Sequence, residues 1–106
     1  MTSIGHLIDG QRINGGQRTQ PVYNPATGAS ELSVQLADVA TVQAAIASAE
    51  AAFPAWRNTP PLKRARVMSK LKELLEANAD KICQLITDEH GKVLADSLGE
   101  LQRGIE

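Results

Sequence analysis

This sequence is poor in reactive and aromatic side chains. Its single cysteine, Cys83, cannot make an internal disulfide, which fits a reducing cytoplasm. It has one Trp, one Tyr and one Phe, so the 42% apolar content rests on aliphatics and alanine. Alanine favours helices but adds little core volume, so a helix-rich segment with a thin core is expected. No apolar run approaches the ~20 residues that span a bilayer. The opening MTSIGHLIDGQRING has no basic region followed by an apolar stretch and is not rich in Arg and Ser. Neither a secretory signal nor a transit peptide is expected from it, and a cytoplasmic location is the expectation. Charge of one sign is also missing, the formal net being −1, which argues against general affinity for nucleic acid or an anionic membrane.

The usual site motifs are lacking as well. There is no GxGxxG. HGK at 90–92 has the end of a phosphate loop, but the full pattern needs Gly at 86 and Ser or Thr at 93, which hold Ile86 and Val93. His6 and His90 have no second ligand three or four residues away, so no metal is expected. Cys83 lies among Ile82, Leu85 and Ile86 without a neighbouring base, and reads as a buried structural thiol. No residue of the chain is assigned a catalytic role.

At 106 residues the chain has room for one small domain. Its organisation changes near residue 37. HLID and QRI flank Gly10 and predict a tight hairpin. PVYNPATGASELSVQLA predicts a second, with the NPATG turn at its tip and Leu32, Val34 and Leu36 on one face. After Asp38, a plausible N-cap, Val39, Val42, Ile46, Ala49, Phe53 and Trp56 recur at helical spacing. Pro54 is expected to end or kink that helix. Thr59 is expected to cap the next one, with Pro60 at its first position. Leu62 to Ile86 predict a long helical segment broken near Asn78, with Gly91 as its stop. A last helix from about Lys92 carries Leu94, Leu98, Leu101 and Ile105 on one stripe and still runs at Glu106. The helices present more apolar stripe than two hairpins can cover, so the chain is expected to be a fragment of something longer. The fold class is α+β: two hairpins over 1–37, then three to four helices over 38–106.

Two basic features remain. Lys63, Arg64, Arg66, Lys70 and Lys72 crowd one segment, balanced by Glu73 and Glu76, and read as a solvated helix face. Arg103 is more informative. With Leu94 at zero on a helical wheel, Arg103 falls at about 180° and Glu100 at about 240°. The ordinary fate of such an arginine is an i,i+3 ion pair with Glu100. Against it, Gly99 and Gly104 each cost ~1 kcal/mol within a helix, a pattern that marks close approach or a site. An anion-reading arginine is the alternative.

The pieces HLIDG, VYNPATG, AAIASAEAAFPAWRNTP, RARVMSKLKELLEANADKICQLITDEHGK and ADSLGELQRGIE resemble the N-terminal part of the aldehyde dehydrogenase family. The ending GELQRGIE looks like the CoA-acylating methylmalonate-semialdehyde branch. The resemblance implies a much longer parent with a Rossmann-type NAD domain, of which 1–106 would be the front. The catalytic domain would be absent from this chain. It implies a dimeric or tetrameric enzyme using NAD and CoA on a small carboxylated aldehyde. A cysteine thiolate would attack the aldehyde, hydride would pass to NAD, and CoA would take the acyl group. With loss of the carboxylate as carbon dioxide, the product from methylmalonate semialdehyde would be propionyl-CoA, and from malonate semialdehyde acetyl-CoA. Cys83 does not match that nucleophile, and NAD and CoA are not expected to bind this fragment, which should be inactive alone. One role carries over: Arg103 matches the arginine that faces the substrate carboxylate in that branch. The alternatives are another aldehyde dehydrogenase, such as one acting on succinate semialdehyde, and a stand-alone helical interaction domain.

Overall fold

The computed structural model describes residues 2–30 and 32–106; Glu31, within the second predicted hairpin, lies outside the described residues. Its elements are β1 (Thr2–Ile4), β2 (His6–Ile8), β3 (Gln11–Ile13), β4 (Thr19–Val22) and β5 (Leu32–Gln35). They are followed by α1 (Val39–Asn58), α2 (Pro61–Ala77), α3 (Ala79–His90) and α4 (Leu94–Ile105). The order of strands first and four helices after is the expected α+β arrangement. The chain forms two compact units. One holds residues 1–23 and 30–59; the other holds Asn24–Ala29 and Pro60–Glu106.

In the first unit, β2 and β3 form the HLID-G-QRI hairpin. Asp9 and Gly10 lie between the paired Ile8 and Gln11, with φ of 51° and 70°. Two successive positive φ values make a type I′ turn, which Asp-Gly fits and which matches the twist of the strands. β4 and β5 form the second expected hairpin, antiparallel with Val22 opposite Leu32. β1 adds parallel to β5, with Ile4 opposite Val34, giving the order β1-β5-β4. Pro21 sits in β4, an edge strand, where its missing N–H breaks no ladder.

Asp38 caps α1 as expected. Its Oδ1 accepts from the Thr41 backbone N–H at 2.8 Å and from Thr41 Oγ1 at 2.6 Å. These bonds, the hydroxyl's first, hold the Asp38 carboxyl below the usual carboxylate range. Pro54 does not end the helix, which continues to Asn58. One lost hydrogen bond near the end is tolerable because the final turn is closed by Thr59. Its N–H donates to Trp56 O at 3.1 Å and its Oγ1 to Ala55 O at 2.8 Å. Thr59 therefore terminates α1 instead of capping α2, and Pro61, not Pro60, takes the first position of α2. The stripe of α1 forms as predicted but is uncovered: Val39 is 73% exposed and Ile46 61%.

In the second unit, the NPATG turn is an Asx-type loop. Asn24 Oδ1 accepts from Ala26 N–H at 2.9 Å, and Asn24 O accepts from Gly28 N–H at 2.8 Å. The predicted break at Asn78 is present. Its Nδ2 donates to Leu74 O at 2.8 Å, competing with the helical ladder and separating α2 from α3. Gly91 ends α3 in the left-handed region at φ 87°, with its N–H bonded to Thr87 O at 2.8 Å. The chain then needs Lys92 and Val93 to reverse, so α4 begins at Leu94 and not at Lys92. α3 and α4 pack side by side around Cys83 and Ser97. Cys83 is buried as expected; Ser97 is completely enclosed.

Candidate functional site

The candidate site is the C-terminal half of α4 and the connection before it. Ser97 Oγ and Thr87 Oγ1 are 2.8 Å apart and tie α4 to α3. Two hydroxyls satisfy each other where an aliphatic pair would have left no polar link. The sequence offers no signal for this pair beyond a serine near the edge of an apolar stripe. The stripe itself is as predicted, with Leu98, Leu101 and Ile105 lining a groove of about 460 Å³ beside Lys72 and Glu76.

Arg103 lies on the other side of α4 and is exposed. The expected i,i+3 pair with Glu100 is not what forms. Glu100 instead pairs with Lys92, Nζ to Oε1, across from the α3–α4 connection. The hydrogen bond from Lys92, with a further electrostatic contribution from the same ammonium, lowers the Glu100 carboxyl below its ordinary range. His90 and Arg103 add smaller contributions in the same direction. Arg103 makes no hydrogen bond or ion pair among the described residues. It stands as an unengaged guanidinium on a polar face, able to meet a planar anion with two parallel N–H donors.

The glycines beside it meet nothing. A Cβ built at Gly99 or Gly104 would have no atom within 4 Å, so no contact among the described residues requires glycine at either place. The basic segment of α2 is largely the solvated face expected of it. Lys70 pairs with Glu73 at 3.1 Å and Lys72 with Glu76 at 3.7 Å, all exposed. Arg64 is half-buried, and its Nε has no hydrogen-bond partner among the described residues.

Gly91 is used as a helix cap and Lys92 as the partner of Glu100, so HGK does not cradle phosphates. Among the described residues no group of three His, Cys, Asp or Glu side chains is placed to hold a metal ion. No helix of the described residues is long and apolar enough to cross a membrane.

Comparison with known proteins gives a consistent result. The chain is 53% identical over its whole length to a malonate-semialdehyde dehydrogenase of Pseudomonas aeruginosa, covering 21% of that protein. Among solved structures, a methylmalonate-semialdehyde dehydrogenase from Oceanimonas doudoroffii superposes on 99% of this chain. The TM-score is 0.96 at 60% identity, and 22% of that structure is covered. A proposed methylmalonate-semialdehyde dehydrogenase from Sinorhizobium meliloti, in complex with NAD, gives a TM-score of 0.96 at 42% identity. It is matched over 99% of this chain and 22% of its own. The chain thus spans about a fifth of the length of the proteins it matches. The aldehyde dehydrogenase family model matches residues 13–106, strands β4 and β5 and all four helices included, and the chain belongs to that family.

Proposed function

We propose that the chain is the front part of the NAD-binding domain of a CoA-acylating semialdehyde dehydrogenase. Its substrate is malonate or methylmalonate semialdehyde, and Arg103 reads the substrate carboxylate. The observation that carries this reading is the Arg103 guanidinium, exposed and unpaired among the described residues, on the face of α4 away from the apolar stripe. Such substrates have a carboxylate that plain aldehydes lack, and a guanidinium fork grips it in a way lysine cannot copy. The identity to a malonate-semialdehyde dehydrogenase over the whole chain supports the same substrate class. The apolar faces left open on α1 and α4 support a place within a larger domain. NAD, CoA and the nucleophilic cysteine are assigned to the remainder of the enzyme, a cytoplasmic homo-oligomer. The part played by this chain is to bind and orient the acid end of the substrate.

Replacing Arg103 with Ala in the full-length enzyme tests the reading. One charge-assisted contact is worth ~1.5–3 kcal/mol, so KM for methylmalonate semialdehyde should rise roughly ten- to a hundredfold. KM for propanal should stay where it is. Equal losses on both aldehydes would remove Arg103 from recognition. Dependence of turnover on CoA separates this enzyme from one that releases a free acid, such as a succinate-semialdehyde dehydrogenase.

A further inference from the structure

We propose that Lys92 is a positioning residue for substrate recognition: by holding Glu100 in an ion pair, it keeps Arg103 available to an incoming carboxylate. This rests on the reading of Arg103 given above. Glu100 precedes Arg103 by three residues, the spacing at which opposite charges on a helix pair. The same chain makes such a pair where nothing intervenes, between Lys70 and Glu73 at 3.1 Å. On α4 the carboxylate goes to Lys92 instead. Lys92 is unlike the surface lysines. Its side chain is 16% exposed, against 67% for Lys70 and 58% for Lys72.

The backbone explains why the ammonium is there. Gly91 in the left-handed region closes α3, and the two residues after it lead directly into α4. Lys92 is thereby placed opposite the second turn of the helix without a long connection. Its stem is covered and its head meets Glu100. Two effects on Arg103 follow. The neighbouring carboxylate is occupied, so the guanidinium does not fold back onto its own helix. The carboxylate beside it is also paired with an ammonium, so its charge repels an approaching anion less.

Without Lys92, Glu100 competes with substrate for the same guanidinium. An exposed pair of this kind shifts an equilibrium by about two- to fivefold. In the full-length enzyme, Lys92→Met should therefore raise KM for methylmalonate semialdehyde by about two- to fivefold. KM and kcat for propanal should not change. Adding Glu100→Gln to Lys92→Met should restore the wild-type KM, and Lys92→Arg, which keeps the pair, should behave as wild type. Glu100→Gln alone should leave KM no higher than wild type, and it keeps the idea testable if Lys92→Met fails to fold. The proposal is overturned if Lys92→Met affects both aldehydes alike, if Glu100→Gln does not rescue it, or if Glu100→Gln alone raises KM. Arg103→Ala keeps the two readings apart. Loss of selectivity there, with no effect of Lys92→Met, sinks the role of Lys92 alone. Equal losses on both aldehydes in Arg103→Ala sink the recognition reading itself.

Discussion

The hydroxyl pair between Thr87 and Ser97 decides how firmly α4, and with it Arg103, is held. Ser97 has no exposed surface, and its Oγ lies 2.8 Å from Thr87 Oγ1. Ser97→Ala removes one oxygen, which leaves a gap too small for water. The cost is then the hydrogen bond and the loss of a partner for half-buried Thr87, about 1–2 kcal/mol. Thr87→Val keeps the shape but orphans the Ser97 hydroxyl where water cannot reach, at about 1–3 kcal/mol. Together the two changes exchange a polar contact for an apolar one of nearly the same volume. The double variant should therefore lose less than the sum, with a coupling of about 1 kcal/mol. For a domain of this size each kcal/mol moves Tm by about 4–8 °C, well within reach of measurement. Equilibrium urea unfolding followed by far-ultraviolet circular dichroism gives the four stabilities, and unchanged m values license the comparison. Costs that add to within about 0.3 kcal/mol would refute the reasoning, because the hydroxyls would then not be coupled.

Two further outcomes follow from caps. Asp38→Asn should lower Tm at neutral pH. The Asp38 carboxyl is held below its unfolded value, so its contribution is complete above the unfolded pKa and is lost as pH falls through the folded one. The Tm difference between wild type and Asp38→Asn should therefore shrink on acidification; a difference that grows would reverse the sign of the argument. Gly91→Ala puts a Cβ at φ 87° and 2.9 Å from Pro25 Cγ, and should cost about 1–3 kcal/mol in thermal unfolding.

The features legible in the sequence are the local ones. Asp9-Gly10 needs only its own two dihedrals to make a turn, Asp38 reaches three residues to cap a helix, and Gly91 stops one by taking a conformation other residues avoid. The reading fails where two local rules compete. Pro54 is a helix breaker by rule, yet one missing N–H near the last turn is cheaper than abandoning Phe53-to-Trp56 helical geometry with a good cap at Thr59. Thr59 itself serves as well behind a helix as before one, since its hydroxyl can donate to the carbonyl four residues back. The pairing of β1 with β5 spans some thirty residues, and nothing in TSI announces a partner. At the candidate site, the wheel puts Arg103 opposite the stripe. It cannot reveal that Glu100 is already taken, because Lys92 lies outside the helix and reaches it only through the turn at Gly91.

One consequence concerns how the chain can be divided. The loop Asn24–Ala29 lies between β4 and β5 in sequence but belongs to the same compact unit as α2, α3 and α4. The units are interleaved along the polypeptide, so no single cut yields both intact. Scission at the Thr59–Pro60 bond leaves the helical piece without the residue, Pro25, that packs on Gly91. Expression of residues 60–106 alone is then a test of a helical hairpin missing its clasp, and recombining it with a peptide carrying NPATG is the way to ask how much that clasp contributes.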